Sequence, residues 1–343
     1  MTTSAADTLV LSSPDALVSG LPYLLGFPPV ESAVLLWLRG RRLLLTQRID
    51  LPGNDAEIEP WLGAMWSHLA ASEADELVIV IVTGRDDAAD LAAQIHIVAA
   101  ERELRVRDAI VVDGDRWRSL MCTDPDCCDP SGRTLDRAVS DRVAAEFAGA
   151  GVAPVAARAD IVGEFAEDAG GVACVAGLVS VGLPPRGRGR ERWRDEIIGT
   201  VTARMQEPRR DLETEEIGAV IRGLQDIRVR DTVLWELSNA DQAGRFRALV
   251  LLTSCVRWAP AGHVAPVATC AAIAAWLVGD GARAQVALER ALVDCPDYSL
   301  AVLVQHSVRV GLPPAAWGEA MGGLSRQECR HGRASSRGRK RAS

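Results

Sequence analysis

Six consecutive aliphatic residues, Leu77-Val-Ile-Val-Ile-Val82, constrain the fold of this chain more than any other feature of its sequence. The run ends at Thr83-Gly84 and places no polar residue on either side of the extended backbone. Such a strand is typical of the interior of a sheet whose two faces are both covered. The segment therefore predicts a sheet that is packed into an α/β domain.

Strand-like and helix-like patterns alternate on both sides of this run. Ser13-Pro14 predicts the start of a helix, because serine caps a helix N-terminus and proline suits the first turn. Apolar runs on either side of Gly40 predict a β-hairpin. The other expected elements are helices over residues 55–71 and 86–104 and strands over residues 108–112 and 116–121. This alternation predicts an α/β domain over residues 1–150, with a mixed sheet and flanking helices.

From about Leu135 the strand-like runs give way to helical patterns rich in Ala, Leu and Arg. These patterns predict an all-α C-terminal domain of antiparallel helical hairpins over residues 195–325. Residues 151–194 are expected to form a helical connection and an exposed linker, because glycine and arginine alternate in residues 184–194. Residues 326–343 contain almost no apolar side chains, which predicts a disordered basic tail.

Residues 264–312 carry Gly279, Ala284, Ala291 and Pro296 at the intervals of a tetratricopeptide repeat. Small side chains let two antiparallel helices approach closely, and proline cannot continue a helix. The spacing therefore predicts a tetratricopeptide-like helical hairpin. Two interpretations are equally open, a hairpin that only packs on its neighbours and a surface that binds a protein partner.

The basic residues disfavour several classes of catalytic site. Of the 38 Lys and Arg residues, only Lys340 is a lysine, and it lies in the expected tail. P-loop and kinase sites place a lysine on the phosphates, and Schiff-base enzymes use one as the nucleophile. The folded part of the chain has no lysine for any of these roles.

Charge is distributed unevenly along the chain. Residues 326–343 carry seven basic and one acidic residue, whereas the other 325 residues carry 31 basic and 45 acidic ones. The acidic body disfavours nucleic-acid binding, which is expected only weakly and through the tail. No apolar run reaches the roughly 18 residues of a membrane span, and the N-terminus lacks a signal-peptide pattern. We therefore expect a cytoplasmic protein without membrane contacts.

The segment Cys122–Gly132 combines three cysteines with three aspartates. Cys122, Cys127 and Cys128 are candidate metal ligands, although the fourth ligand of a tetrahedral zinc site is missing locally. Thiol chemistry is a second interpretation, which the neighbouring carboxylates oppose because they raise the pKa of a thiol. A third interpretation is a hydrogen-bonded loop whose Asp-Pro and Ser-Gly turns pack the cysteines inward. All three interpretations stay open at this point.

Four further candidate residues, expected to bind a ligand, lie near expected strand ends. They are Gly26, Ser32, Arg48 and Asp50. Ligands of α/β sheets collect at strand ends. We expect a non-enzymatic protein that binds a protein partner through its C-terminal helices or a small ligand, with the Cys122–Gly132 loop as a place for a ligand or metal. The alternative is an enzyme of unassigned class with its site near Arg48, Asp50 and the Cys122–Cys128 loop, and no particular cofactor is indicated.

Several motifs together give the chain a family resemblance. They are Pro22-Tyr-Leu-Leu-Gly-Phe-Pro-Pro-Val-Glu-Ser32, Arg48-Ile-Asp-Leu-Pro52, Trp117 with the Cys122–Gly132 loop, Trp276-Leu-Val-Gly-Asp-Gly-Ala282 and Asp297-Tyr298. The chain resembles an actinobacterial family known as domain of unknown function 4192, over nearly its whole length except the tail. It departs from the family at Asp129, where a proline is expected after the double cysteine. The resemblance implies the overall architecture and a cytoplasmic location, and it supplies no catalytic residues.

Overall fold

The computed structural model describes residues 10–66, 73–124, 128–180, 186–207 and 212–332. The chain divides into two compact units. The N-terminal unit comprises Met1–Arg158 and Arg309–Gly311, and the C-terminal unit comprises Ala159–Val308 and Leu312–Ser343. Within the described residues the first unit holds a mixed sheet and the second is helical, which confirms the predicted fold class.

The N-terminal unit alternates helices and strands. Its elements are α1 (Pro14–Leu25), β1 (Ser32–Arg39), β2 (Arg42–Asp50), a 3-10 turn (Asp55–Glu57), α2 (Ile58–Met65), β3 (Glu76–Val82), α3 (Ala88–Glu101), β4 (Arg105–Asp113), β5 (Arg116–Ser119), β6 (Arg133–Thr134) and α4 (Arg137–Gly149). The strands form one sheet in the order β2-β1-β3-β4-β5-β6. β3 and β4 pair in parallel, and the other neighbours pair antiparallel. The predicted hairpin across Gly40 is confirmed as β1–β2.

β3 presents apolar side chains to both faces of this sheet. Leu77, Ile79 and Ile81 belong to a buried cluster that includes residues of α2 and α3. Val78 and Val80 belong to the cluster on the other face, which includes residues of α1. Each fully buried aliphatic side chain stabilises the fold by about 1.5–3 kcal/mol. Helices therefore cover both faces, and the unit has three layers.

Local capping sets the limits of α1. The Ser13 hydroxyl accepts a hydrogen bond from the backbone N–H of Ala16 at 3.2 Å, and Pro14 occupies the first turn. The helix ends at Gly26, whose φ of 82° is a left-handed conformation that glycine adopts without a steric penalty. The predicted N-terminal cap at Ser13 is confirmed.

The C-terminal unit is built around a fully buried helix. Its helices are α5 (Arg158–Glu164), α6 (Ala169–Ser180), α7 (Arg188–Gln206), α8 (Thr214–Gly223), α9 (Ile227–Asn239), α10 (Gln242–Trp258), α11 (Val264–Leu277), α12 (Gly281–Asp294), α13 (Ser299–Arg309), α14 (Pro314–Gly322) and α15 (Arg326–His331). Every residue of α11 is buried. An apolar helix of this kind belongs in the centre of a helical domain. In the described part of the chain, no helix is both long and apolar enough to cross a membrane.

The predicted hairpin over residues 264–312 is present as α11 and α12. The turn between them contains Gly279 with a φ of 86°. Ala284 and Ala291 are fully buried, and Pro296 lies just beyond the end of α12. These positions confirm the predicted turn, helix end and small-residue contact.

Asp294 joins the two ends of this hairpin. Its carboxylate accepts hydrogen bonds from the backbone N–H groups of Gly262 at 2.6 Å, Val264 at 3.1 Å and Ala265 at 3.0 Å. The first N–H groups of a helix have no partner within the helix, and a carboxylate also interacts favourably with the helix dipole there. One side chain at the end of α12 therefore caps the start of α11.

The expected linker over residues 184–194 is wrong from Arg188 onward. α7 begins at Arg188, and Arg194 donates two hydrogen bonds to Asp226 at 2.8 and 3.2 Å. The alternation of glycine and arginine is therefore compatible with a helix, because distant carboxylates pair with the arginines. Residues 184 and 185 of the expected linker lie outside the described part of the chain.

The predicted disorder of the tail is also wrong for its first residues. α15 begins with a capping box, in which Ser325 and Glu328 exchange side-chain and backbone hydrogen bonds. Arg330 is buried and donates a hydrogen bond to Asp195 at 2.8 Å. Charge pairing thus orders a segment that has few apolar residues. Residues 333–343 lie outside the described part of the chain.

Ala284→Leu tests the close contact of α12. The larger side chain overpacks a fully buried position, so the free energy of unfolding should fall by about 1–3 kcal/mol. Urea titration followed by circular dichroism measures this change. Ala320→Leu is the control, because Ala320 is exposed on α14. An equal effect of both variants would show that Ala284 has no special packing role.

Candidate ligand site at the sheet edge

A polar cleft of about 220 Å³ opens at the carboxyl ends of β3 and β4. Three segments contribute to it: the loop after β3, the β4–β5 hairpin and the loop before β6. The lining residues are Thr83, Gly84, Arg85, Asp86, Val111, Asp113, Arg116, Trp117, Arg118, Ser131 and Gly132. Ligands of open α/β sheets bind in crevices at the carboxyl ends of the strands. The position and the polar lining make this cleft the candidate site.

Thr83 anchors the loop after β3. Its buried hydroxyl lies 2.8 Å from both carboxylate oxygens of Glu31 and accepts a hydrogen bond from the Arg85 N–H at 3.2 Å. Glu31 has a φ of 42°, a left-handed conformation that costs a non-glycine residue about 1–3 kcal/mol. The contact with Thr83 therefore holds a strained residue beside the cleft.

Arg85 is held in one orientation by its own partners. Its guanidinium donates to the two carboxylate oxygens of Asp87, at 2.9 and 2.5 Å, and to the carbonyl of Pro52 at 2.8 Å. The hydrogen bonds to Asp87 raise the pKa of Arg85 above its usual value. This side chain connects the end of β2 with the start of α3 and keeps a fixed positive charge at the cleft.

Two aspartates bring acceptor groups to the same cleft. Asp113 ends β4, and Asp86 lies in the loop after β3; both side chains are exposed. A Cβ atom on Gly84 would lie only 3.2 Å from the Asp113 carboxylate. Glycine therefore lets the loop after β3 approach the end of β4 closely enough to share one cleft.

Arg116 orders the third segment. It donates hydrogen bonds to the carbonyls of Ser131, at 3.1 Å, and Gly132, and to the hydroxyl of Thr134 at 3.3 Å. Asp129 accepts hydrogen bonds from the hydroxyl and the backbone N–H of Ser131, both at 2.7 Å, and these bonds lower the pKa of Asp129. The end of the cysteine loop is therefore a defined turn rather than a loose connection.

Arg118 differs from the other two arginines of the cleft. Its side chain is half-buried, and it makes neither an ion pair nor a hydrogen bond with any residue in the described ranges. A guanidinium presents five N–H donors in a planar array that matches carboxylate and phosphate groups. Arg118 is thus the group of the cleft whose donors are available to a ligand.

The four predicted ligand residues lie at the same sheet edge but outside the cleft lining. Ser32 is buried and donates to the carbonyl of Val30 at 3.0 Å. Arg48 donates to the same carbonyl at 3.3 Å and to Asp50 at 2.5 Å. The Gly26 carbonyl accepts a hydrogen bond from another backbone N–H of this unit. These contacts hold the segment before β1 in place, and ligand binding by the four residues stays a prediction.

The cysteine loop connects β5 to β6, and Cys122 and Cys128 are half-buried in it. The Cys122 N–H donates to the Ser119 hydroxyl at 3.1 Å, and the Cys128 N–H donates to the Asp124 carbonyl at 2.7 Å. Cys127 lies outside the described residues, within which no cluster of three or more metal-binding side chains occurs. Metal binding by Cys122, Cys127 and Cys128 stays a prediction, which native mass spectrometry with added Zn²⁺ can decide.

The family model described as "Domain of unknown function (DUF4192)" matches residues 14–315. The chain belongs to this family. The match includes the whole cleft and most of the helical unit, and it confirms the resemblance seen in the sequence motifs. No curated protein and no solved structure matches the chain.

The cleft residues of this DUF4192 chain were not among the sequence candidates. A signal for them exists in Thr83-Gly84-Arg-Asp86, which directly follows a strand buried on both faces, and in Asp113-Gly114 at the end of the next strand. The parallel pairing of these two strands puts both signals at one edge. No sequence pattern singles out Arg116 and Arg118 as cleft residues, because arginines are frequent along this chain.

Arg116→Ala tests whether this side chain orders the end of the cysteine loop. The loss of its hydrogen bonds should speed amide hydrogen exchange in residues 128–134 relative to the rest of the N-terminal unit. Hydrogen exchange followed by mass spectrometry measures the change. Arg118→Ala is the matched control, since Arg118 has no described contact with this segment. Unchanged exchange in the Arg116 variant would contradict the assigned role.

Proposed function

We propose that the chain is a ligand-binding protein that holds a small polar molecule with an acidic group in the sheet-edge cleft. The observation that carries this proposal is the Arg118 guanidinium, which lines the cleft without a partner among the described residues. Carboxylate and phosphate groups are the natural partners of such a guanidinium, because they accept two parallel hydrogen bonds.

The surrounding charges favour a ligand that has donor groups as well as an acid. Arg85 and Arg116 are fixed by their own hydrogen bonds and contribute positive potential without adjusting to the ligand. Asp86 and Asp113 offer acceptors for hydroxyl or amino groups. Hydroxy acids, sugar phosphates and nucleotides combine these features. Groups positioned before binding lose little conformational entropy when the ligand arrives, which favours affinity.

Arg118→Gln tests this proposal. The probes are citrate, glucose 6-phosphate and adenosine monophosphate, and isothermal titration calorimetry measures binding to the full chain. We expect at least one probe to bind, and the variant to lose about tenfold or more in affinity, because a hydrogen bond to a charged group is worth about 1.5–3 kcal/mol. Arg41→Gln is the charge-matched control, since Arg41 is exposed at the β1–β2 turn.

A second variant, at another position of the cleft, tests the same site independently of Arg118→Gln. Gly84→Leu places a side chain between the loop after β3 and Asp113, so it should block the cleft and abolish binding. Thermal unfolding of each variant shows whether the unit still folds. Unchanged affinity in both folded variants, or equal losses in Arg118→Gln and Arg41→Gln, would remove the cleft as the binding site.

Protein-partner binding by the C-terminal helices is a second candidate function. Its support is the exposure of three apolar side chains on α12 and α13: Val293 is 75% exposed, Leu303 59% and Val302 47%. A second copy of the chain is the partner that purified protein can test. Leu303→Asp should weaken concentration-dependent association in sedimentation experiments, and an unchanged monomer at every concentration would exclude self-association.

A further inference from the structure

A second cavity, of about 300 Å³, lies within the C-terminal unit between α9, α13, α14 and the residues around α15. Five apolar side chains form most of its wall: Leu234, Leu300, Trp317, Met321 and Leu324. Pockets for small ligands have volumes from about 300 to 1,000 Å³ and are mostly apolar, with a few polar groups. The cavity therefore has the size and lining of a site for a small ligand.

Cys329 and three charged residues complete the lining, and the two acidic residues already have partners. Asp231 accepts hydrogen bonds from the Arg230 guanidinium at 2.7 and 3.1 Å. Glu328 accepts hydrogen bonds from the backbone N–H and the hydroxyl of Ser325, at 2.8 and 2.9 Å. The negative charges of the cavity are thus engaged in fixed contacts.

Arg228 is the third charged residue, and its guanidinium has neither an ion pair nor a hydrogen bond within the described ranges. The guanidinium lies beside the backbone of Gly332, where an added Cβ atom would come within 2.5 Å of its Nη2 atom. Its donors are available to an acidic group inside the cavity.

We propose that this cavity binds a small apolar carboxylate, such as a short fatty acid or an arylacetic acid. The carboxylate accepts hydrogen bonds from Arg228, and the apolar body packs against Leu234, Leu300 and Met321. Burial of the apolar body contributes about 25 cal/mol per Å² removed from water, and the charged contact fixes the orientation. This site shares no residue with the sheet-edge cleft, so it does not depend on the function proposed there.

The segment after residue 315 supplies one side of the site and lies beyond the part that matches the family model. Three contacts attach this segment to α9. The Trp317 indole donates to the Ser238 hydroxyl at 2.9 Å, the Trp235 indole donates to the Leu324 carbonyl at 3.0 Å, and Arg326 pairs with Glu236 at 2.6 Å. The cavity wall therefore combines residues inside the family match with residues beyond it.

Calorimetry with matched ligands tests the proposal on the full chain. The acids are sodium octanoate and sodium phenylacetate, and the neutral controls are octanamide and phenylacetamide. We expect an acid to bind at least tenfold more tightly than its amide. Arg228→Gln should reduce the affinity for the acid to that for the amide. Arg192→Gln, which removes an exposed charge on α7, should leave the affinity unchanged.

Leu300→Phe provides a test that leaves the charge in place. The larger side chain fills the cavity, so acid and amide should both lose binding while the thermal unfolding midpoint confirms a folded chain. Arg118→Gln should retain octanoate binding, which separates this site from the sheet-edge cleft. The proposal is overturned if neither acid binds at millimolar concentration, if acid and amide bind equally, or if folded Arg228→Gln and Leu300→Phe variants both keep the affinity.

Discussion

β3 is buried on both faces and pairs with β4 in parallel, so the chain between them has to cross one face of the sheet. α3 makes this crossing, because parallel neighbours cannot be joined by a tight hairpin. The helix covers one apolar face, and α1 covers the other. The same pairing brings Thr83 and Asp113, the residues at the ends of the two strands, to one edge. The apolar requirement of a single strand thus fixes the layers of the unit and also the position of its polar cleft.

The described part of the chain contains arginines but no lysine. These arginines fall into two groups. Arg85, Arg116 and Arg330 are surrounded by their own acceptors and connect segments that are distant in sequence. Among the described residues Arg118 and Arg228 have no such acceptors, and both line cavities. The planar guanidinium suits both roles, since its donors can join two backbone segments or hold one acidic ligand. The two groups therefore differ in their partners among the described residues and not in residue type.

The sequence predicted the features that depend on neighbouring residues. The cap at Ser13, the hairpin across Gly40 and the buried alanines of α12 follow from local patterns, and all three are present. It did not predict that the start of α7 and the whole of α15 are helical. Compositional rules count apolar residues, whereas Arg194 and Arg330 are held by carboxylates 32 and 135 positions away. The cleft was missed for the same reason, because a pattern read along the chain does not show which arginine lacks a partner in space.

Arg118 and Arg228, which have no partner among the described residues, both affect the stability of the fold. A half-buried guanidinium gives up part of its hydration, and without a partner this loss opposes folding. Arg118 and Arg228 remain in this state, although carboxylates such as Asp113 and Asp231 line the same cavities. A ligand that binds only the folded chain returns the missing interaction and stabilises the fold as its concentration rises above its dissociation constant. Under the two proposals above, ligand binding therefore offsets a cost that each arginine adds to folding.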